Sequence, residues 1–157
     1  MINSKKKGNR CELEIVHILN EFYNTNVFER SPSSGARATS SHNLTKSKAN
    51  ILIGDIIVPD WFPHFIEIKG YKSIDIWKIF ETGLFPKEWE EERKRQLEQL
   101  KVSDKKGILL IFKENNKDWL AMIEKDKEDH KDINFIYLNN GRMIYQLKDL
   151  LKLIKIT

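Results

Sequence analysis

Asp55, eleven intervening residues, and then Glu67-Ile68-Lys69 place two carboxylates and an ammonium in one short, otherwise apolar stretch, ILIGDIIVPDWFPHFIEIKG from Ile51 to Gly70. The stretch reads as two strands, Ile51 to Val58 and Phe65 to Lys69, with Pro59, Asp60 and Pro63 punctuating the turn between them. Alternation puts Ile53, Asp55 and Ile57 on one face of the first strand, and Phe65, Glu67 and Lys69 on one face of the second. Burying a lone carboxylate costs about several kcal/mol, so two of them with a lysine on adjoining strands read as a metal site. An exposed edge hairpin with its charges in water is the other reading. Ile53 and Ile57, on Asp55's own face, weigh against it.

A third carboxylate comes from the helix expected from Asn9 to about Tyr23. Glu12 lies three and four residues before Ile15 and Val16 and so shares their apolar stripe, while Glu14 aligns with Arg10, His17 and Glu21 on the polar face. At an exposed position Glu12 would be a favourable helix N-terminal charge; within the stripe it needs a partner. Carboxylate oxygens suit Mg²⁺, with Mn²⁺ as a substitute, and such an ion polarises a phosphate oxygen and acidifies a bound water. Lys69 would orient that water or stabilise the charge that develops on phosphorus. The reaction these groups permit is phosphodiester hydrolysis. No serine stands in a nucleophile-elbow context and no Gly-rich phosphate loop precedes a helix, which argues against a serine hydrolase and against a nucleotide cofactor.

Basic residues flank this set. Lys5, Lys6, Lys7 and Arg10 precede the first acid; Asn26 to Arg30 reads as a short strand, and no acid stands between Glu29 and Asp55, where Arg30 precedes a Ser/Thr/Gly/Ala-rich loop, about 31–50, that carries Arg37, Lys46 and Lys48. The loop suits a phosphate backbone, with hydroxyls and amides beside the cations; an ordinary surface loop is the alternative.

The order of these motifs resembles the PD-(D/E)XK nucleases. Lys7-Gly8 before Glu12, Arg30-Ser31-Pro32-Ser33-Ser34-Gly35, Gly54-Asp55-Ile56-Ile57 and Ile66-Glu67-Ile68-Lys69 are similar, within that superfamily, to the archaeal-type Holliday junction resolvases. The resemblance covers roughly Lys5 to Lys113. It implies an α/β fold with a central mixed β-sheet flanked by helices, a restriction-endonuclease-like core. It also implies a homodimer that makes paired nicks in a four-way DNA junction with Mg²⁺. By resemblance, Glu12, Asp55, Glu67 and the Ile68 backbone carbonyl hold the metal, Lys69 is the catalytic lysine, and Ser34 lies near the scissile phosphate. Gln96 or Gln99 matches a glutamine on the following helix. Asp55 follows glycine where many relatives have proline, and the segment of about 74–88 and the tail beyond Glu124 exceed the compact resolvase pattern. Another PD-(D/E)XK nuclease acting on duplex or flapped DNA, and a DNA-binding module without catalysis, are the competing readings.

Around these residues the remaining elements follow from pattern. A helical turn from Ile74 ends near Gly83, and a helix opens at Pro86, with acids first and bases later, and runs to about Val102. Gly107 to Lys113, Trp119 to Ile123 and Phe135 to Leu138 read as strands, Asp126 to Asp132 as a charged loop, and Ile144 to Ile154 as a closing helix. With 157 residues, 40% hydrophobic and 32% charged, one soluble domain is expected. No apolar run approaches the roughly 18–20 residues a membrane span needs. The basic N-terminus lacks a following apolar run and does not read as a secretory signal, and a single cysteine, Cys11, permits no internal disulfide. An intracellular setting is the expectation. The net charge of +4 says little by itself about nucleic acid.

Overall fold

The computed structural model of the chain describes residues 4–32, 53–101, 103–124 and 133–155. Cys11, Ile15 and Leu19 recur every four residues and form the buried stripe of α1 (Ser4–Tyr23), which begins at Ser4 rather than Asn9. Seven strands follow: β1 (Glu29–Arg30), β2 (Ile56–Ile57), β3 (His64–Tyr71), β4 (Gly107–Glu114), β5 (Leu120–Ile123), β6 (Phe135–Tyr137) and β7 (Met143–Gln146). Two helices, α2 (Ile76–Thr82) and α3 (Lys87–Leu100), lie between β3 and β4, and α4 (Leu147–Leu153) follows β7. The strands form one sheet of order β1-β2-β3-β4-β5-β7-β6. β3 and β4 run parallel, from His64 opposite Gly107 to Tyr71 opposite Glu114, and every other neighbouring pair is antiparallel. A parallel pair needs a long crossover, which α2 and α3 provide. This is the mixed, helix-flanked sheet anticipated above.

Alternation along the central strands divides the core in two. Ile66 and Ile68 of β3, Leu109 and Ile111 of β4, and Ala121 and Ile123 of β5 pack against α1 and α4. Leu110, Phe112, Met122 and Ile144 pack on the opposite face against Ile79 of α2, Phe85, and Trp89 of α3. Gly83 closes α2 in the left-handed conformation (φ +69°), its N–H donating to the Ile79 carbonyl at 2.8 Å.

The turn between β2 and β3 is held by a residue that carries no motif. Lys105 is buried, and its Nζ donates to the carbonyls of Pro59 (2.9 Å), Asp60 (3.1 Å) and Phe62 (2.7 Å). Three carbonyl dipoles thus replace the water lost by the ammonium.

Two further sequence expectations are corrected. The first strand of the organising stretch is short, because residues 53–55 bend before β2 begins. The closing helix does not start at Ile144, since Met143–Gln146 form β7 between β5 and β6. Leu147, Leu150 and Leu151 carry the helical spacing; Ile144 and Tyr145 are claimed by strand partners distant in sequence. The expected charged loop, up to residue 132, falls outside the described residues.

Candidate active site

Gly54 decides how the Asp55 segment meets β3. Its φ is +81°, and a Cβ built there would stand 2.5 Å from the Ile66 carbonyl oxygen. Only glycine tolerates both. The close approach lets the Asp55 N–H donate to the Ile66 carbonyl at 2.7 Å, and the Asp55 carboxylate Oδ2 accepts the Ile68 N–H at 2.8 Å. Asp55 is therefore aimed by a bend and two hydrogen bonds, not by the alternation of a regular strand. The N–H and C=O of one strand residue project to the same edge, so the Ile68 carbonyl points to the edge of β3 on which the Asp55 segment lies.

Glu67 lies on the α3 side of β3 and is 2% exposed. One carboxylate oxygen accepts from Lys69 Nζ at 2.5 Å and the other from Gln96 Nε2 at 2.9 Å. Lys69 Nζ also reaches a carboxylate oxygen of Glu92 on α3 at 3.3 Å. The Gln96 carbonyl oxygen is buried without a hydrogen-bond partner among the described residues, an acceptor left open beside Glu67.

Burial, and next the charge of Glu67, push the Asp55 carboxyl up to about 8 against the Ile68 hydrogen bond and the Lys69 charge; the Glu12 carboxylate adds a smaller rise. Burial pushes Glu67 up as well, opposed by Lys69. Burial would lower Lys69, but the Glu67 charge and hydrogen bond, with Glu92 and Asp55, outweigh it and hold the ammonium above its ordinary range. Two buried carboxylates that repel one another beside a firmly protonated lysine are an arrangement that a cation would relieve.

Glu12 is buried, as its place in the apolar stripe required, but its partner is Arg30 of β1, whose Nε donates to Glu12 Oε2 while Nη2 donates to Asn9 Oδ1 at 2.8 Å. Glu12 arrives with α1, on the face of the sheet opposite Gln96. Among the described residues no three His, Cys, Asp or Glu side chains gather closely enough to hold a metal ion. The structure thus unites Asp55, Glu67 and Lys69 and sets Glu12 near them in an ion pair of its own. The all-oxygen donors Asp55, Glu67 and the Ile68 carbonyl fit a hard divalent cation; Asp55 Oδ1 has no hydrogen-bond partner among the described residues.

Of the other expected site residues, Gln96 enters the site, whereas Gln99, three residues on, has no bond to it. Lys5, Lys6 and Lys7 lie in the first turns of α1. Arg10 is exposed and helps to stabilise the Glu14 carboxylate, and Arg30 is engaged with Glu12. Ser34, Arg37, Lys46 and Lys48 lie outside the described residues. Glu14 is not the solvated charge its helix face suggested, because it accepts from Lys113 Nζ (2.8 Å) and Trp119 Nε1 (2.7 Å). Glu92 went unread. Its acid run reads as a solvated helix face, although its i, i+4 spacing to Gln96 puts both on one face.

A model of the family described as "Phage putative PDDEXK endonuclease" matches residues 3–152. The chain belongs to that family. Membership places it among the PD-(D/E)XK nucleases, and the seven-stranded mixed sheet with its four helices is consistent with their restriction-endonuclease-like core. No curated protein and no solved structure matches the chain. Among the described residues no helix is long and apolar enough to cross a membrane.

Proposed function

We propose that this PDDEXK endonuclease is a Mg²⁺-dependent, structure-selective DNA endonuclease that acts on four-way junctions as a homodimer. The observation that carries the nuclease chemistry is the buried pair Asp55 and Glu67 with Lys69 beside it. A divalent ion held by Asp55, Glu67 and the Ile68 carbonyl would supply Lewis acidity and a water of lowered pKa. Glu67 is oriented for this by Gln96 and Lys69, and Asp55 by the Ile68 N–H. Lys69, held protonated, places positive charge where the scissile phosphate gains negative charge as water adds and the leaving oxygen departs with a proton. The open Gln96 carbonyl oxygen can accept a hydrogen bond from a water in the site.

The junction preference is supported by the Arg30-to-Gly35 motif and its neighbours, which resemble the resolvases. A four-way junction has two-fold symmetry, so a symmetric dimer presents two sites for paired cuts. Arg30, Lys5, Lys6, Lys7 and Arg10 are the cations that would contact phosphate. The test is cleavage of an immobile junction, a linear duplex and a flap, each with Mg²⁺ or with EDTA, together with the solution mass. Paired nicks confined to the junction and a dimeric mass are expected. Equal cutting of duplex or flap overturns the substrate preference alone, and Mg²⁺-independent binding without cleavage of any substrate overturns the enzyme.

A further inference from the structure

Lys69 has two carboxylate partners, and they belong to different parts of the fold. Glu67 stands two residues away on β3 at 2.5 Å, and Glu92 reaches across from α3 at 3.3 Å. The Glu67 carboxylate is already divided between Lys69 and Gln96. On the reading above it is also a metal ligand, and a cation on that carboxylate repels the ammonium that shares it. A lysine has four flexible methylenes, and this side chain is 30% exposed, so without a second anchor its ammonium would turn toward water.

Glu92 is not an ordinary surface acid on a free helix. α3 is fastened before and after it. Glu90 accepts from the Phe85 N–H at 2.9 Å and takes two hydrogen bonds from the buried Arg142, at 2.5 and 2.8 Å. Arg93 donates to Glu124 at 2.7 Å, and Gln96, one turn on, is joined to Glu67. The helix therefore presents Glu92 and Gln96 together to the β3 motif, one carboxylate toward the lysine and one amide toward the glutamate. An exposed ion pair by itself contributes little; a pair held by an anchored helix fixes a position.

We propose that Glu92 is a positioning residue for Lys69, retaining its ammonium in the site when the Glu67 carboxylate turns to a divalent cation. This rests on the nuclease reading for its catalytic consequence, but not for the contact itself.

The test pairs kinetics with a direct view of the lysine. In ¹⁵N-lysine NMR, with K69R assigning the signal, the Lys69 ammonium resonance should persist in wild type with and without Mg²⁺. It should survive in metal-free E92Q and vanish from E92Q with Mg²⁺. On junction DNA, E92Q should lose about tenfold to hundredfold in kcat with KM unchanged, since a lysine displaced by about an ångström costs this order. E92D should recover part of the loss, and E92Q added to K69M should cost nothing further. Unchanged melting of E92Q will separate these effects from unfolding. An ammonium signal that survives in E92Q with Mg²⁺, or a kcat equal to wild type, overturns the proposal. Should wild type cut no DNA, the nuclease reading fails while the NMR comparison still decides the role of Glu92.

Discussion

The Asp55 carboxylate accepts the N–H of Ile68, the residue between Glu67 and Lys69, at 2.8 Å. One bond thus ties the two halves of the motif together, and it needs a carbonyl-type oxygen but not a charge. Asp55→Asn keeps the acceptor and removes the repulsion between neighbouring buried carboxylates. In EDTA this variant should melt at least about 2 °C above wild type, since about 1 kcal/mol shifts a domain of this size by a few degrees. The same variant should lose cleavage while still binding junction DNA. A melting temperature at or below wild type would show that the pair is not repulsive.

Gly54→Ala attacks the approach that makes this bond possible. The left-handed conformation alone costs a non-glycine residue about 1–3 kcal/mol. The added methyl would also meet the Ile66 carbonyl at 2.5 Å, and backbone cannot step aside as a flexible side chain can. Urea unfolding should register a loss of at least about 2 kcal/mol, with cleavage abolished at temperatures where the protein stays folded. Wild-type stability would mean that the bend before β2 forms without the close approach.

The sequence carried the site unevenly. Glu67 and Lys69 were legible because β3 is a regular strand, and alternation places them on one face. Asp55 was legible by type and spacing, but its aim was not, since it depends on a positive φ at Gly54 and on the Ile66 and Ile68 backbone. The burial of Glu12 followed from the helical stripe; its partner Arg30 comes from another element and leaves no local signal. The same holds for Lys105, whose three acceptors precede it by more than forty positions. β7 was read as helix because the spacing of Leu147, Leu150 and Leu151 extends backward to Ile144. Only pairing with β5 and β6 decides otherwise.

Binding of a divalent ion to the Asp55–Glu67 pair should appear as stability before any DNA is present. A ligand that binds only the folded state at about a hundred times its dissociation constant adds about 2.7 kcal/mol. Titrating Mg²⁺ or Mn²⁺ into EDTA-treated protein should therefore raise the melting temperature by several degrees and saturate. Glu67→Gln and Asp55→Asn should each remove most of the increment. An equal increment in either variant would place the ion elsewhere.

The anchor of α3 gives a pH signature of its own. Burial pushes the Glu90 carboxyl up, but the hydrogen bonds from Arg142 and the Phe85 N–H, with the charges of Arg142 and Arg93, outweigh it and hold the group below its ordinary value of 4.5. A carboxyl depressed in the folded state contributes stability that is present above the unfolded value and is lost as pH falls through the folded one. Wild type should therefore lose stability as pH is lowered below about 4.5, and Glu90→Gln should show a flatter profile over that interval. Arg142→Met removes the other partner and leaves the partly buried Glu90 carboxylate without its guanidinium, which should lower stability. Because α3 carries both Glu92 and Gln96, that variant should also cleave more slowly at temperatures where it remains folded. Denaturant melts across pH 3.5 to 7 read the first effect, and single-turnover cleavage reads the second. Parallel pH profiles for wild type and Glu90→Gln would show that the Glu90–Arg142 contact does not hold the helix in place.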